Sequence, residues 1–187
     1  MSVFRTVMRE VSAAHHLGFT LVNQVCRLFP DFASGHFRSR LYRLAGVDVD
    51  PGAFLMSNIT IVGGVENHVK NLHIGPKVRM ASGIVINPDA SVTIEELVTI
   101  GPYVRIFTST HELGPGSIRC DPVNLYLPVV IEKGSWVGLG AIVLAGVTIG
   151  HGSVIAAGAV VTADVPPNSL VQGSPGVVVQ SLPFGNR

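Results

Sequence analysis

From Ile131 to Val161 an aliphatic residue recurs at every sixth position: Ile131, Val137, Val143, Ile149, Ile155 and Val161. Four residues after each stands a small or β-branched one, at Ser135, Ala141, Val147, Ser153, Ala159 and Val165. A period of six fits neither the turn of an α-helix nor the alternation of a half-buried strand. It marks a parallel β-helix, a solenoid of short strands joined by tight turns. The same stretch, SWVGLGAIVLAGVTIGHGSVIAAGAVV, carries a Gly every few residues, which would weaken a strand interior or a long helix. In a solenoid the glycines serve turns that need positive φ, and the small side chains point inward where three walls converge.

The register continues upstream with interruptions. Ile94, Ile100 and Ile106 form one set of three, Ile74, Met80 and Ile86 another, and Val49, Leu55 and Ile61 a weaker first set. Three hexads make one triangular turn of 18 residues, and the breaks (61 to 74, 86 to 94, 106 to 131) all follow the third hexad. Every insertion therefore leaves at the same corner. The expectation is an all-β solenoid of about five triangular coils over residues 46–180, about 24 Å tall at a strand spacing of about 4.8 Å, with a protruding loop at 112–130 and a tail at 181–187. Residues 1–45 differ. Apolar residues from Phe4 to Phe29 recur at helical spacing, Pro30 ends that helix, and Asp31 is placed to cap a second one running to about Leu44. The segment holds six Arg against Glu10 and Asp31. It is either a helical lid over the first coil or a basic amphipathic face for anionic lipid.

Apolar residues make up 47% of the 187 and charged ones only 13%, with a net charge of +1. That balance gives no general pull toward nucleic acid, and no nucleic-acid-binding motif accompanies it. Cys26 and Cys120 suggest no disulfide framework, so a reducing compartment is expected. No apolar run reaches the length of a spanning helix and no signal-peptide pattern is present, so the expected location is the cytoplasm.

A prism packed with aliphatic side chains has no internal cavity, so chemistry must lie outside it. The largest insertion begins directly after RIFTSTH (105–111), which puts His111 at the corner where the loop departs. An imidazole titrates near 6.5, which suits general-base work; a surface His at a turn is the plainer alternative.

Three motifs resolve that choice: T-S-T-H (108–111) before a loop, I-E-K-G-S-W-V-G (131–138), and V-V-T-A-D-V-P-P-N-S-L-V-Q-G-S-P (160–175). Together they resemble the hexapeptide-repeat acyltransferases, nearest the maltose and galactoside O-acetyltransferases and the acetyltransferases of surface polysaccharides, over roughly residues 46–180. The resemblance implies a left-handed β-helix, a hand the spacing itself does not show and one opposite to the usual crossover rule. It also implies a homotrimer with active sites in clefts between subunits. His111 would be the catalytic base, taking a proton from an acceptor hydroxyl as its oxygen attacks acetyl-CoA. Transfer would be direct, with no acyl-enzyme and no metal; neither cysteine lies near a second His as a nucleophile would. Trp136, Leu139, Gly140, Ala141, Ala157, Gly158 and Thr162 would line the cofactor groove, Trp136 equally well packing between subunits. Backbone N–H groups near Gly138 to Ala141 would serve the oxyanion. Asp89 and Glu112 would meet the acceptor, a sugar or glycoconjugate hydroxyl.

The chain departs from the family pattern in places. Ala163, Val177 and Gln180 stand where basic residues often meet coenzyme A phosphates, leaving Lys133 or Arg187 as substitutes. Ala81 replaces a substrate-contacting Asn, and His111-Glu112 replaces His-Pro, so a simple galactoside is not the expected acceptor. Serine- or xenobiotic-type acetyltransferases are alternatives on this fold. So is a zinc enzyme of the γ-carbonic-anhydrase type using His36, His68 and His73, or a scaffold without catalysis.

Overall fold

The computed structural model describes residues 17–63, 68–114, 116–117 and 119–183. The first half of the expected N-terminal helix, the His68 side chain and Arg187 lie outside the described residues. Short strands fill three parallel sheets in strict rotation. The first sheet holds β1 (Asp48–Val49), β4 (Leu72–Ile74), β7 (Val92–Ile94), β12 (Val129–Ile131) and β15 (Thr148–Ile149). The second holds β2 (Phe54–Leu55), β5 (Arg79–Met80), β8 (Thr99–Ile100), β13 (Trp136–Val137), β16 (Val154–Ile155) and β18 (Ser169–Gln172). The third holds β3 (Thr60–Ile61), β6 (Val85–Asn87), β9 (Arg105–Phe107), β14 (Ile142–Val143) and β17 (Val160–Val161). From Val130 to Val161 each residue pairs with one 18 positions on, as Val130 with Thr148, Trp136 with Val154 and Ile142 with Val160, and the last coil is two residues shorter, pairing Val154 with Leu170.

The hexad explains this winding. Its two inward positions, two residues apart, face one core, and among the fifteen aliphatic register residues only Ile61 is not fully buried. Buried Ser135 and Ser153 are hydroxyl donors to the carbonyls of Gly150 (3.1 Å) and Pro166 (2.9 Å), so neither is left unpaired in the core. Not every left-handed turn uses Gly: Lys77, Leu97 and Tyr103 also have φ near +60°. The C-terminal end is closed by β19 (Val177–Ser181), which folds back antiparallel onto β18.

The helices α1 (Leu17–Cys26) and α2 (Gly35–Leu44) share the strands' core rather than forming their own. Phe19 stacks on Tyr42, ring centroids 5.4 Å apart, and the Tyr42 hydroxyl accepts from Ile59 N–H and donates to Asn23 Oδ1 at 2.6 Å. Burial raises both the Tyr42 phenol and the Cys26 thiol above their ordinary values. Arg38 is fully buried on α2 and donates to the carbonyls of Phe29, Pro30, Ala33, Leu55 and Met56. It pins the 29–33 segment to the end of β2. The expected cap at Asp31 is not formed. Phe32 and Ser34 both adopt left-handed φ (67° and 62°), so α2 starts only at Gly35. Asp31 instead accepts from Ser82 Oγ at 2.8 Å, and its carboxyl is held below its usual value by the Ser82 and Ser57 hydroxyls.

All three insertions leave between the third sheet and the first. They contain a 3-10 turn at His68–Asn71, the corner at 88–91, and an antiparallel hairpin of β10 (Ser109–Leu113) and β11 (Cys120–Tyr126). The segment expected as a loop from 112 is therefore the outer part of this hairpin, and His111 lies within β10 rather than at the turn itself.

Candidate active site

The insertion corner is organised by side-chain hydrogen bonds. Asn71 Nδ2 donates to the carbonyls of Pro88 and Asp89, tying the first insertion to the second. Asn87, nearly fully buried, is the hub of the next step. Its Oδ1 accepts from the Ser109 hydroxyl at 3.1 Å and from Thr108 N–H at 3.4 Å, while its Nδ2 donates to Asp89 Oδ2 at 3.1 Å. The Thr108 hydroxyl donates to the Asn87 carbonyl at 2.7 Å and accepts from Ala90 N–H at 2.9 Å. This buried, connected network fixes the root of the hairpin. Two residues beyond Ser109, His111 pairs with Asn124 across the hairpin and is exposed. Glu112, also exposed, sits at the irregularity in pairing between His111 and Leu113. Asp89 is half-buried beside Gly63, where a Cβ would come within 2.4 Å of its Oδ1, so a backbone without side chain leaves room for the carboxylate.

Asn87, Thr108 and Asn71 are the residues that sequence reasoning missed. A signal existed for two of them: Asn87 and Thr108 follow Ile86 and Ile106 by one and two places, so they are polar residues set where the coil is about to leave its wall.

The expected cofactor residues occupy other parts of the surface. Leu139, Gly140, Ala157 and Gly158 stack at the corner between the second and third sheets, with Gly158 N–H donating to the Leu139 carbonyl at 2.8 Å. Gly140 (φ 67°) and Gly158 (φ 71°) have nothing within 4 Å of where a Cβ would stand, so space lies open along that edge. Trp136 projects from the second sheet with 54% of its surface exposed, and Thr162 lies exposed beyond β17 at the insertion corner. Ala141 differs: its side chain is in the core, so only its backbone could face a groove. Three of the N–H groups expected as oxyanion donors are already engaged. Gly138 N–H donates to Ile155, Gly140 N–H to Pro102 and Ala141 N–H to Gly138, all in building the coils themselves. Ala81 is half-buried in the second sheet, its N–H donating to the Ile100 carbonyl.

Among the described residues no group of three His, Cys, Asp or Glu is placed to hold a metal ion. His36 Nδ1 contacts the Ala53 carbonyl at 3.1 Å and His73 Nδ1 pairs with Asp48 at 2.9 Å, each on a different element. Lys133 pairs with Glu96, whose carboxyl it holds below its usual value. No described helix is long and apolar enough to cross a membrane.

A stack of hexad coils with an exposed His on an inserted hairpin defines a class. Residues 128–163 match the family described as the hexapeptide repeat of succinyl-transferase. Nodulation protein L of Rhizobium meliloti is 47% identical over 108 residues, 58% of each chain. A galactoside O-acetyltransferase of Lactococcus lactis is 36% identical over 113 residues, 60% of this chain and 54% of that one. The solved hexapeptide-repeat acetyltransferase of Vibrio cholerae, determined with acetyl coenzyme A, superposes over 98% of this chain and 92% of its own, with a TM-score of 0.69 at 26% identity. Over these regions the chain is similar to hexapeptide-repeat acetyltransferases. It spans little more than half the length of the curated relatives it matches.

Proposed function

We propose that this protein is an acetyl-CoA-dependent O-acetyltransferase acting on a hydroxyl of a sugar or glycoconjugate precursor, with His111 as general base. The observation that carries this is the placement of an exposed imidazole on a hairpin whose root is locked by buried Asn87 and Thr108, the same Asn87 also holding Asp89. In the proposed step the acceptor oxygen attacks the thioester carbon while its proton passes to His111. The C–S bond then breaks, the sulfur takes a proton, and the neutral imidazole is restored. Asp89 accepts from a neighbouring hydroxyl of the acceptor, which orients the attacking one. The pantetheine arm lies along the open glycine edge at Gly140 and Gly158, flanked by Trp136, Leu139 and Ala157.

That edge and the insertion corner lie on opposite margins of the third sheet, and the hairpin projects away with Leu113 and Val123 exposed. A homotrimer of left-handed β-helices of about five coils, spanning 46–180, brings the hairpin of one subunit over the groove of the next. Its location is the cytoplasm, where acetyl-CoA is supplied. The test follows thiol release from acetyl-CoA with a panel of sugars and glycoconjugate precursors. His111→Ala should lower turnover by about 10²-fold or more with the melting temperature unchanged. A folded variant with full turnover overturns the mechanism, and release with no acceptor in the panel overturns the substrate class.

A further inference from the structure

We propose that the cleft between α2 and the second sheet is a binding site for a small phosphate ester, with its phosphate on Arg79 and Lys77 and its ring on Phe54. The cleft holds about 260 Å³ and is lined by His36, Gly52, Phe54, Lys77, Val78 and Arg79. These residues come from α2, β2, β5 and the turns before β2 and β5, whereas the hairpin bearing His111 departs after β9 at another corner.

Charge sets the ligand's sign. Two permanent cations line the cleft and no carboxylate does. The ion pairs among the described residues join Asp48 to His73, Glu96 to Lys133 and Glu132 to His151, so neither Lys77 nor Arg79 has an acidic partner within 4.0 Å, although Lys77 lies near enough to Glu96 to help lower its carboxyl. Adjacent like charges repel unless an anion joins them. A guanidinium fork beside an ammonium suits phosphate, which takes two parallel N–H bonds from the first and a point charge from the second.

Shape sets the rest. Phe54 and Arg79 are register partners on neighbouring strands, so the guanidinium stem starts beside the ring. The ring is wedged: a Cβ on Gly35 would lie 2.6 Å from it, so only glycine lets it pack against α2. His36 meets it edge-on, centroids 5.1 Å apart at 74°, with its Nδ1–H donating to the Ala53 carbonyl. The second ring nitrogen remains for the ligand. A rigid aromatic wall next to paired cations favours a phosphate attached to a planar ring over the bare ion. The volume lies below that of sites for drug-sized ligands, which suits a small phosphate ester.

Titration calorimetry on the full chain with uridine monophosphate, uridine and inorganic pyrophosphate tests this. Flotation with phosphatidylglycerol or phosphatidylcholine vesicles asks whether a lipid phosphate is the source. Uridine monophosphate should bind and uridine should not. Arg79→Gln should weaken binding about tenfold or more, His36→Gln less, and Lys133→Gln not at all. Flotation with phosphatidylglycerol alone, lost in Arg79→Gln, would support the same site with a headgroup as its ligand. No binding of any phosphate probe overturns the proposal, as does equal binding by wild type and Arg79→Gln. A parallel titration with coenzyme A should be unaffected by Arg79→Gln. Equal loss there would make the cleft part of the cofactor groove and overturn its separateness, leaving the acetyl-transfer mechanism to its own assay.

Discussion

The uninterrupted coils from Val129 to Val161 and the hairpin from Ser109 to Tyr126 are held by opposite means. In the coils every strand has parallel partners, and each hexad buries two side chains in a common core. The hairpin has two strands, and Leu113, Val123, Tyr126 and Leu127 along it are exposed. Its fixed point is its root, where Thr108 is buried and its hydroxyl bonds back to Asn87. An isolated two-stranded hairpin is marginal in water, so the imidazole it carries is positioned by the root and by whatever covers its outer face. Stability sits in the repeat, and the proposed chemistry sits where the repeat is broken.

The largest effect should come from filling space between coils. A Cβ on Gly138 would fall 2.7 Å from the Ile155 carbonyl and 2.8 Å from Ala157 N, both backbone atoms that cannot rotate away. Gly138→Ala should therefore lower unfolding free energy by about 2–3 kcal/mol. Two residues away, Gly140→Ala meets open space and only the strain of positive φ, about 1 kcal/mol. Denaturant melts of the two variants measure the contrast, and equal losses would mean that the coils are not packed this closely.

His111→Ala reverses the pattern: a rate loss of about 10²-fold, near 2.7 kcal/mol of barrier, with no change in melting. Asn87→Leu tests the junction between the regions. It leaves Asp89 and the Ser109 hydroxyl without their amide partner, and turnover should fall about tenfold. Amide exchange should quicken in β10 and stay slow in β13 to β16. Quickening throughout would show that Asn87 supports the coils rather than the hairpin.

The walls were legible in the sequence because an inward position repeats and errors in one hexad are outvoted by the next. Val143 is recognisable because Val137 and Ile149 flank it at the same interval. The third-sheet corner was legible for the same reason, since three separate breaks in period agree. What has no period stayed hidden. Arg38 reads as one more basic residue on an amphipathic helix, yet it is fully buried among five carbonyls, a role set by a chain reversal that sequence spacing does not encode. Three of the N–H groups expected as oxyanion donors, those of Gly138, Gly140 and Ala141, are already used in building the coils, which spacing alone does not reveal. Ala141 has an inward place in the hexad, two before Val143, so its side chain belongs to the core and only its backbone to the surface.

The smallest effect concerns the junction of the helical segment with the second coil. Asp31 has left the helix-capping position for the Ser82 hydroxyl, and that bond lowers its carboxyl pKa relative to the unfolded chain. A carboxyl depressed on folding adds stability above its unfolded value, near 3.9, and loses it as pH falls through the lower folded value. The group is exposed, so the contribution is small and screened by salt. Asp31→Asn should melt slightly below wild type at pH 7, and the difference should close as the pH is taken down toward 3. A difference that persists at pH 3 would assign the effect to amide packing against Ser82 rather than to charge.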